Sequence, residues 1–315
     1  LPTFTNGMGR GALPPDSPQL FVHARRQALR QADVLILAGT PLDFRLNFGR
    51  ELSPDAKIIQ IDLERTVIGQ NRSADVGLVG DLRAIFELMD EAACAEHPAL
   101  RFTAWRDRLR EIEREQQRAW EPRLYSEAIP IDPLRLCREV AEFVDPDTIV
   151  IGDGGDIVSL AAKVLPVSWP GQWMDPGPFG CLGIGLPFAI AAQLVHPEKR
   201  VLVLFGDGSF GFNGFEFDTA VRFRLPIMSV VGNDAAWGQI RRPQIALYGE
   251  ERAVATRLHL TRYDRVVEAL GGYGEFVERP EEIAPALRRM RACGKPACLN
   301  VRIAEQPPSF GEKYF

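Results

Sequence analysis

Two aspartates, Asp207 and Asp234, stand 27 positions apart, each just beyond an apolar run. The first run, residues 201–205, is rich in β-branched and aromatic residues and predicts a buried strand that stops at Gly206-Asp207-Gly208-Ser209. A helical pattern follows, with Phe212, Phe215, Phe217, Ala220, Val221 and Phe223 on or near one stripe. Leu225-Pro226 then leads into a second predicted strand, 227–231, that ends at Gly232-Asn233-Asp234. A right-handed βαβ unit delivers the carboxyl ends of two parallel strands to one crevice, so the two carboxylates can meet there. Two hard oxygen ligands beside amide-rich turns suit a divalent cation that holds a diphosphate. The plain alternative is an ordinary βαβ unit with no ligand.

Two further glycine-rich turns carry possible chemistry. Gly152-Asp153-Gly154-Gly155-Asp156 separates a predicted strand, 148–151, from a predicted helix, 157–165. Consecutive backbone N–H groups at such a helix start suit a phosphate oxygen, and a simple strand-to-helix turn explains the residues as well. Gly177, Gly180, Gly183 and Gly185 precede an apolar helix, but their spacing is not G-x-G-x-x-G and no acidic residue stands at the dinucleotide position. His23, His97, His196 and His259 fall in separate segments without ligand spacing, and no nucleophile signature is present.

The elements that must position these turns alternate strand and helix, which indicates open, mostly parallel α/β sheets. Residues 1–92 predict a short strand and long turn over 1–20, a helix at 24–30, strands at 32–38, 57–62 and 76–79, and a helix that Gly80-Asp81 starts and that runs through about Met89. Over 93–130, dense alternating charge with Trp105, Leu109, Ile112 and Trp120 on one face predicts a solvated connecting helix. Residues 131–305 form the larger α/β domain, with later helices near 263–270 and 281–292 and strands near 274–277 and 297–303. The stretch 306–315 is polar and proline-rich and reads as a frayed end or a lid. With 46% apolar and 25% charged residues, 315 residues can bury two cores. A net charge of −5 argues against nucleic acid as a partner. No run reaches the length of a membrane span and no secretory leader opens the chain. The five cysteines (Cys94, Cys137, Cys181, Cys293, Cys298) lack zinc or CxxC spacing and read as reduced cytosolic thiols, so a cytoplasmic location is expected.

The stretch 206–238 resembles the thiamine diphosphate motif, in which Gly-Asp-Gly is followed some two dozen residues later by Asn-Asn; here the pair is Asn233-Asp234. The phrases NGMGRGALP, ADVLILAGTPLDFRLNFG and IIQIDLE resemble the middle domain of the acetolactate synthase group, and GNDAAWGQIRRPQ resembles the 2-hydroxyacyl-CoA lyase branch. The resemblance implies two Rossmann-like domains of mostly parallel sheet, thiamine diphosphate, Mg2+, and C–C lyase or carboligase activity on 2-oxo acids or 2-hydroxyacyl compounds. It implies that Asp207, Asp234 and the Ala236 carbonyl hold the metal. Asp153, Gly154, Gly155, Gly206, Gly208, Ser209 and Asp234 then face the diphosphate. The Gly180 carbonyl and the Leu182 N–H face the aminopyrimidine, the Leu182 side chain wedges the cofactor into a bent shape, and Trp237 and Gln239 line the reaction pocket.

In relatives the middle domain holds FAD, the ADP part of coenzyme A, or nothing; Gly39, Arg45 and Asn47 are the candidate contacts, with a loop packed on its own sheet as the plainer reading. The family's activating glutamate lies on an N-terminal pyrimidine-binding domain that residues 1–315 do not resemble. Glu216 and Asp218 follow the diphosphate turn, at the wrong end of the cofactor. The resemblance therefore implies a partner domain or subunit and a homodimer or tetramer. The start at Leu1, inside the middle-domain pattern, is expected to reflect a missing upstream piece.

Overall fold

The computed structural model describes residues 1–96 and 102–307. The chain forms two units: Leu1–Asn6 with Pro18–Gln117, and Gly7–Ser17 with the chain from Arg118 onward. Position 97 and positions 308–315, which include most of the expected tail, lie outside the described residues.

In the first unit, α1 (Arg25–Gln31) precedes β1 (Val34–Ala38), β2 (Lys57–Asp62) and β3 (Val76–Val79). The strands pair in that order, all parallel, with Ala38 opposite Ile61 and Asp62 opposite Val79. Leu37, Leu42, Leu46, Leu52 and Ile58 form a core against this sheet. Two helices follow, α2 (Leu82–Glu96) and α3 (Thr103–Leu124). Two expectations change here. The strand expected within 1–20 is a single parallel bridge, Thr3 to Leu20. The helix expected to stop near residue 89 runs on through α2, because no glycine or proline interrupts it.

α3 is not solvated along its length. Leu109 and Ile112 are buried with Phe21, Ala24 and Ala28, and the boundary between the units falls inside the helix after Gln117. Its dense charge conceals one inward carboxylate. Glu113 is buried, and its two oxygens accept the N–H groups of Val22, His23 and Ala24, each at 2.9 Å. These donors lie just ahead of α1, at its N-cap Ala24 and the two residues before it.

The second unit contains α4 (Pro133–Phe143), β4 (Thr148–Asp153), α5 (Asp156–Val164), β5 (Trp173–Met174), α6 (Gly185–Val195), β6 (Arg200–Gly206), α7 (Asp207–Asn213), α8 (Phe217–Arg222), β7 (Met228–Asn233), α9 (Gly238–Tyr248), α10 (Tyr263–Ala269), β8 (Tyr273–Val277), α11 (Ile283–Ala292) and β9 (Ala297–Arg302). Asp132 caps α4 by accepting the Leu134 N–H, with Pro133 at the first helical position. The six strands are parallel and ordered β5-β4-β6-β7-β9-β8. Residues along β6 alternate between two cores. Leu202 and Leu204 face α4, α5 and α11, while Val201, Val203 and Phe205 face α6, α7, α8 and α10. Both faces of the sheet are therefore covered, as a parallel sheet requires.

The single apolar stripe expected after Asp207 is broken. A 3₁₀ turn, Gly214–Glu216, separates α7 from α8 and shifts the helical phase. Phe210, Phe217 and Ala220 are buried, whereas Phe212, Phe215 and Phe223 are exposed. The cysteines are free thiols, and no helix among the described residues is long and apolar enough to cross a membrane.

Replacing Glu113 by Ala leaves three N–H groups just ahead of α1 without their acceptor. The expected cost is about 3 kcal/mol, since each buried orphan donor costs about 1–3 kcal/mol. Urea unfolding followed by circular dichroism measures it; an unchanged midpoint would show that these donors find other acceptors.

Candidate functional site

Strand order places the site. From β4 the chain crosses outward to β5, and from β6 it crosses to β7 on the other side, so the winding reverses between β4 and β6. In open α/β sheets, ligands bind outside the carboxyl ends of the strands at such a reversal. Both glycine turns that follow these strands lie here, and they are pressed together. A Cβ on Gly154 would fall 2.8 Å from the Gly206 nitrogen. The Ser209 hydroxyl reaches the carbonyls of Asp153 and Gly206, the latter at 2.9 Å, and ties the two turns to each other.

The predicted carboxylates come together beside them. Gly206 is in register with Gly232, so Asp207 and Asp234 follow paired positions on adjacent strands. Asp207 is 2% exposed; its oxygens accept the N–H groups of Gly208 at 2.9 Å and Ala236 at 3.2 Å. Burial pushes the Asp207 carboxyl up to about 6. Asp234 is pushed up to about 8, by burial first and then by the charges of Asp207, Asp156 and Glu305. The nearest cations are already committed: the buried Arg242 pairs with Asp156. Arg241 pairs with Glu250 and Glu305. Asp207 is buried and Asp234 half-buried, and two carboxylates that repel one another in this way make a candidate site for a cation.

The Ala236 carbonyl offers a third candidate oxygen. It bridges Arg257 across an antiparallel contact in which the flanking groups make the bonds: Trp237 N–H to Thr256 O, and Leu258 N–H to Ala235 O. Ala236 therefore turns its own N–H and C=O away from that strand, and the N–H lands on Asp207. Asn233, beside the pair, is fully buried and works through its amide. It donates to Thr261 O and Asn300 Oδ1, and accepts the Ala235 N–H at 3.2 Å. Among the described residues, no three His, Cys, Asp or Glu side chains are set to hold a metal. The donor set here is two carboxylates and a carbonyl, which suits a hard cation completed by outside oxygens, such as Mg2+ on a diphosphate.

The remaining sequence candidates take definite places. Trp237 packs on the first turn of α7, where a Cβ on Gly208 would fall 2.5 Å from its ring, and it meets Phe212 edge-on at 6.0 Å. Gln239 lies against the other turn, with Oε1 2.2 Å from the position of a Cβ on Gly155. Gly180 ends a 3₁₀ turn, Gly177–Phe179, and Leu182 is half-buried beyond it, between exposed Cys181 and buried Gly183. The Asp153 carboxylate is turned toward the Gly183 and Gly185 N–H groups. Asp156, Arg242 and Glu305 were not singled out from the sequence. Arg242 pairs with Asp156 across 86 positions and Glu305 pairs with Arg241 and Arg257, and no local pattern announces these contacts.

In the first unit, the Arg45 guanidinium is held by Asp43 through a bidentate pair, Nε to Oδ1 at 3.1 Å and Nη2 to Oδ2 at 2.8 Å. Asn47 and Phe48 both adopt positive φ, 51° and 54°, in the same loop. Gly39 also has positive φ and closes β1 by donating its N–H to Ile61 O.

Residues 153–301 match the family described as "Thiamine pyrophosphate enzyme, C-terminal TPP binding domain", and residues 1–89 match "Thiamine pyrophosphate enzyme, central domain". The chain is 40% identical over 301 residues to "Acetolactate synthase large subunit IlvG" of Mycobacterium tuberculosis, covering 96% of this chain and 54% of that protein. It is 36% identical over 316 residues to "2-hydroxyacyl-CoA lyase 2" of Caenorhabditis elegans, covering 96% and 49%. Against the Homo sapiens protein of the same name it is 36% identical over 295 residues, covering 90% and 45%. The chain thus spans about half the length of the curated relatives it matches.

The carboxylate pair makes stability depend on pH in a definite direction. Without a divalent cation, the folded chain binds protons at Asp207 and Asp234 more tightly than the unfolded chain, whose aspartates titrate near 3.8. Stability is then fullest below that range and is lost as pH rises through about 6 and about 8. The thermal midpoint in chelator is expected to fall between about pH 5 and about pH 8, with Mg2+ restoring it most at the upper end. Asp234→Asn should flatten the slope. A midpoint that rises across this range in chelator contradicts the assignment.

Proposed function

We propose, from the premise that this chain belongs to the thiamine pyrophosphate enzymes and carries their central and C-terminal TPP-binding domains, that it holds thiamine diphosphate and Mg2+ for C–C bond cleavage or ligation of 2-oxo acids or 2-hydroxyacyl compounds. The observation that carries this reading is the Asp207–Asp234 pair, one carboxylate buried and one half-buried, set beyond the ends of adjacent parallel strands and mutually repelling. When bound, the cofactor supplies a carbanion and an electron sink. This chain's residues bind and orient it. Asp207, Asp234 and the Ala236 carbonyl take the metal, while backbone N–H groups at Gly154, Gly155 and Ser209 take diphosphate oxygens. The Gly180 carbonyl and the Leu182 N–H address the aminopyrimidine, the Leu182 side chain holds the bent form, and Trp237 and Gln239 wall the reaction space against water.

Proton transfer at the aminopyrimidine needs a carboxylate, and the two on the helix after the diphosphate turn are engaged elsewhere. Glu216 accepts the Thr219 hydroxyl at 2.8 Å, and Asp218 pairs with Arg222 at 2.7 Å, both on the helix after the diphosphate turn. The proposal therefore includes an N-terminal pyrimidine-binding domain or subunit that supplies the glutamate, within a cytoplasmic homodimer or tetramer. Phe179, Phe212 and Phe215, 61–89% exposed, support such a partner. Phe212 borders Gly183, so the apolar surface reaches the glycine turn itself. The acetolactate synthase relative favours 2-oxo acid substrates, and the relatives named 2-hydroxyacyl-CoA lyase favour a second reading, cleavage of 2-hydroxyacyl-CoA.

In calorimetry with Mg2+, Asp207→Ala should weaken thiamine diphosphate binding roughly 100-fold, which corresponds to about 2.8 kcal/mol. Affinity equal to the parent's removes the metal assignment. Turnover of pyruvate or of a 2-hydroxyacyl-CoA should require both this chain and the pyrimidine-binding domain, since acid–base help of that kind contributes about 10²–10⁴-fold. Robust turnover by residues 1–315 alone would defeat the partner proposal.

A further inference from the structure

We infer that Asp153 is a positioning residue, not a cofactor contact: its buried side chain locks the turn that receives the aminopyrimidine onto the turns that receive the diphosphate. The inference rests on the proposed function above and assigns a residue through which the two halves of that site are held in register.

Asp153 is the last residue of β4, in register with Phe205, and is 0% exposed. Both carboxylate oxygens lie 3.1 Å from the Gly183 nitrogen, and Oδ2 also accepts the Gly185 N–H at 2.7 Å. Gly185 opens α6, so the carboxylate serves donors that the helix leaves without intrahelical partners. A negative charge at a helix start is favourable, and hydrogen bonds to an ionised acceptor are the strong ones. The same residue works on its other side through the backbone, where its carbonyl accepts the Ser209 hydroxyl. One residue therefore joins its own turn, the Gly206–Ser209 turn and the Gly183–Gly185 turn.

The glycine turn has little other freedom. Gly183 has φ +86°, and a Cβ there would fall 2.7 Å from Asn213 Oδ1 and 2.9 Å from Phe212 Cβ. At Gly185 a Cβ would fall 2.5 Å from the Phe205 ring and 2.8 Å from Val203. The turn is wedged between β6 and α7, and Asp153 holds its N–H groups. This arrangement sets the span between diphosphate and aminopyrimidine, and a ligand with both groups is recognised as one unit.

The test separates the two ends of the ligand. Calorimetry with Mg2+ compares thiamine diphosphate with inorganic pyrophosphate, for the parent chain and for Asp153→Asn, which keeps the shape and loses the charge. The variant should bind thiamine diphosphate roughly tenfold or more weakly, the scale of one charged hydrogen bond, while pyrophosphate changes by less than about threefold. Parallel weakening of both ligands, or no change in either, overturns the inference. A parent chain that binds neither ligand instead overturns the proposed function. Amide hydrogen exchange on the unaltered protein gives an arm that does not depend on the variant's folding. The Gly183 and Gly185 amides should be protected before any ligand is added, and rapid exchange there overturns the inference.

Discussion

The structure depends on keeping two like charges side by side, one buried and the other half-buried. Asp207 and Asp234 follow paired positions on β6 and β7, and the strand register holds them there whatever their charge costs. A protein interior tolerates such a pair when one carboxyl keeps its proton or when a cation arrives. Much of the surrounding detail serves this constraint. The Ala236 N–H and the Gly208 N–H stabilise Asp207, and the Asn233 amide fixes the turn that carries Asp234. Nearby arginines are engaged by Asp156, Glu250 and Glu305.

Around that pair the sheet contributes position and the turns contribute donors. The reversal of winding between β4 and β6 opens the crevice, and the Ser209 hydroxyl closes the gap between the turns on either side of it. Aromatic packing keeps the first turn of α7 in place. Phe210 sits 5.4 Å from Phe205, 5.9 Å from Phe217 and 4.7 Å from Tyr263, so the helix carrying Asp207 is held by rings from three other elements. The elements distant from the chemistry thus set where Asp207 stands.

The parts legible in the sequence are those governed by local pattern. β2 and β3 lie on the residues that their apolar runs mark, and the strand–turn–helix–strand order around Asp207 and Asp234 follows from composition and glycine placement. What escaped the sequence depends on contacts between distant residues. The 3₁₀ turn at Gly214 shifts the helical phase, so counting positions puts Phe212 and Phe215 inside when they are outside. Glu113 reads as one more charge on a solvated helix until the fold brings α1 to it. Asp153 reads as part of a phosphate turn, but its side chain points to a turn thirty residues on. A carboxylate's residue type and its turn are visible in a sequence; the direction its side chain takes is not.

The contact between Trp237 and Gly208 bears on how such proteins diversify. The indole fills the volume that any side chain at 208 would need, so the two positions share one allotment of space. A lineage that enlarges residue 208 must first shrink residue 237, and one that keeps a bulky ring at 237 holds the glycine by steric exclusion alone. Part of a motif that reads as cofactor chemistry is then inherited as packing. Library designs that reshape this pocket should vary 208 and 237 together, because changing 208 alone samples sequences whose volume has already been assigned.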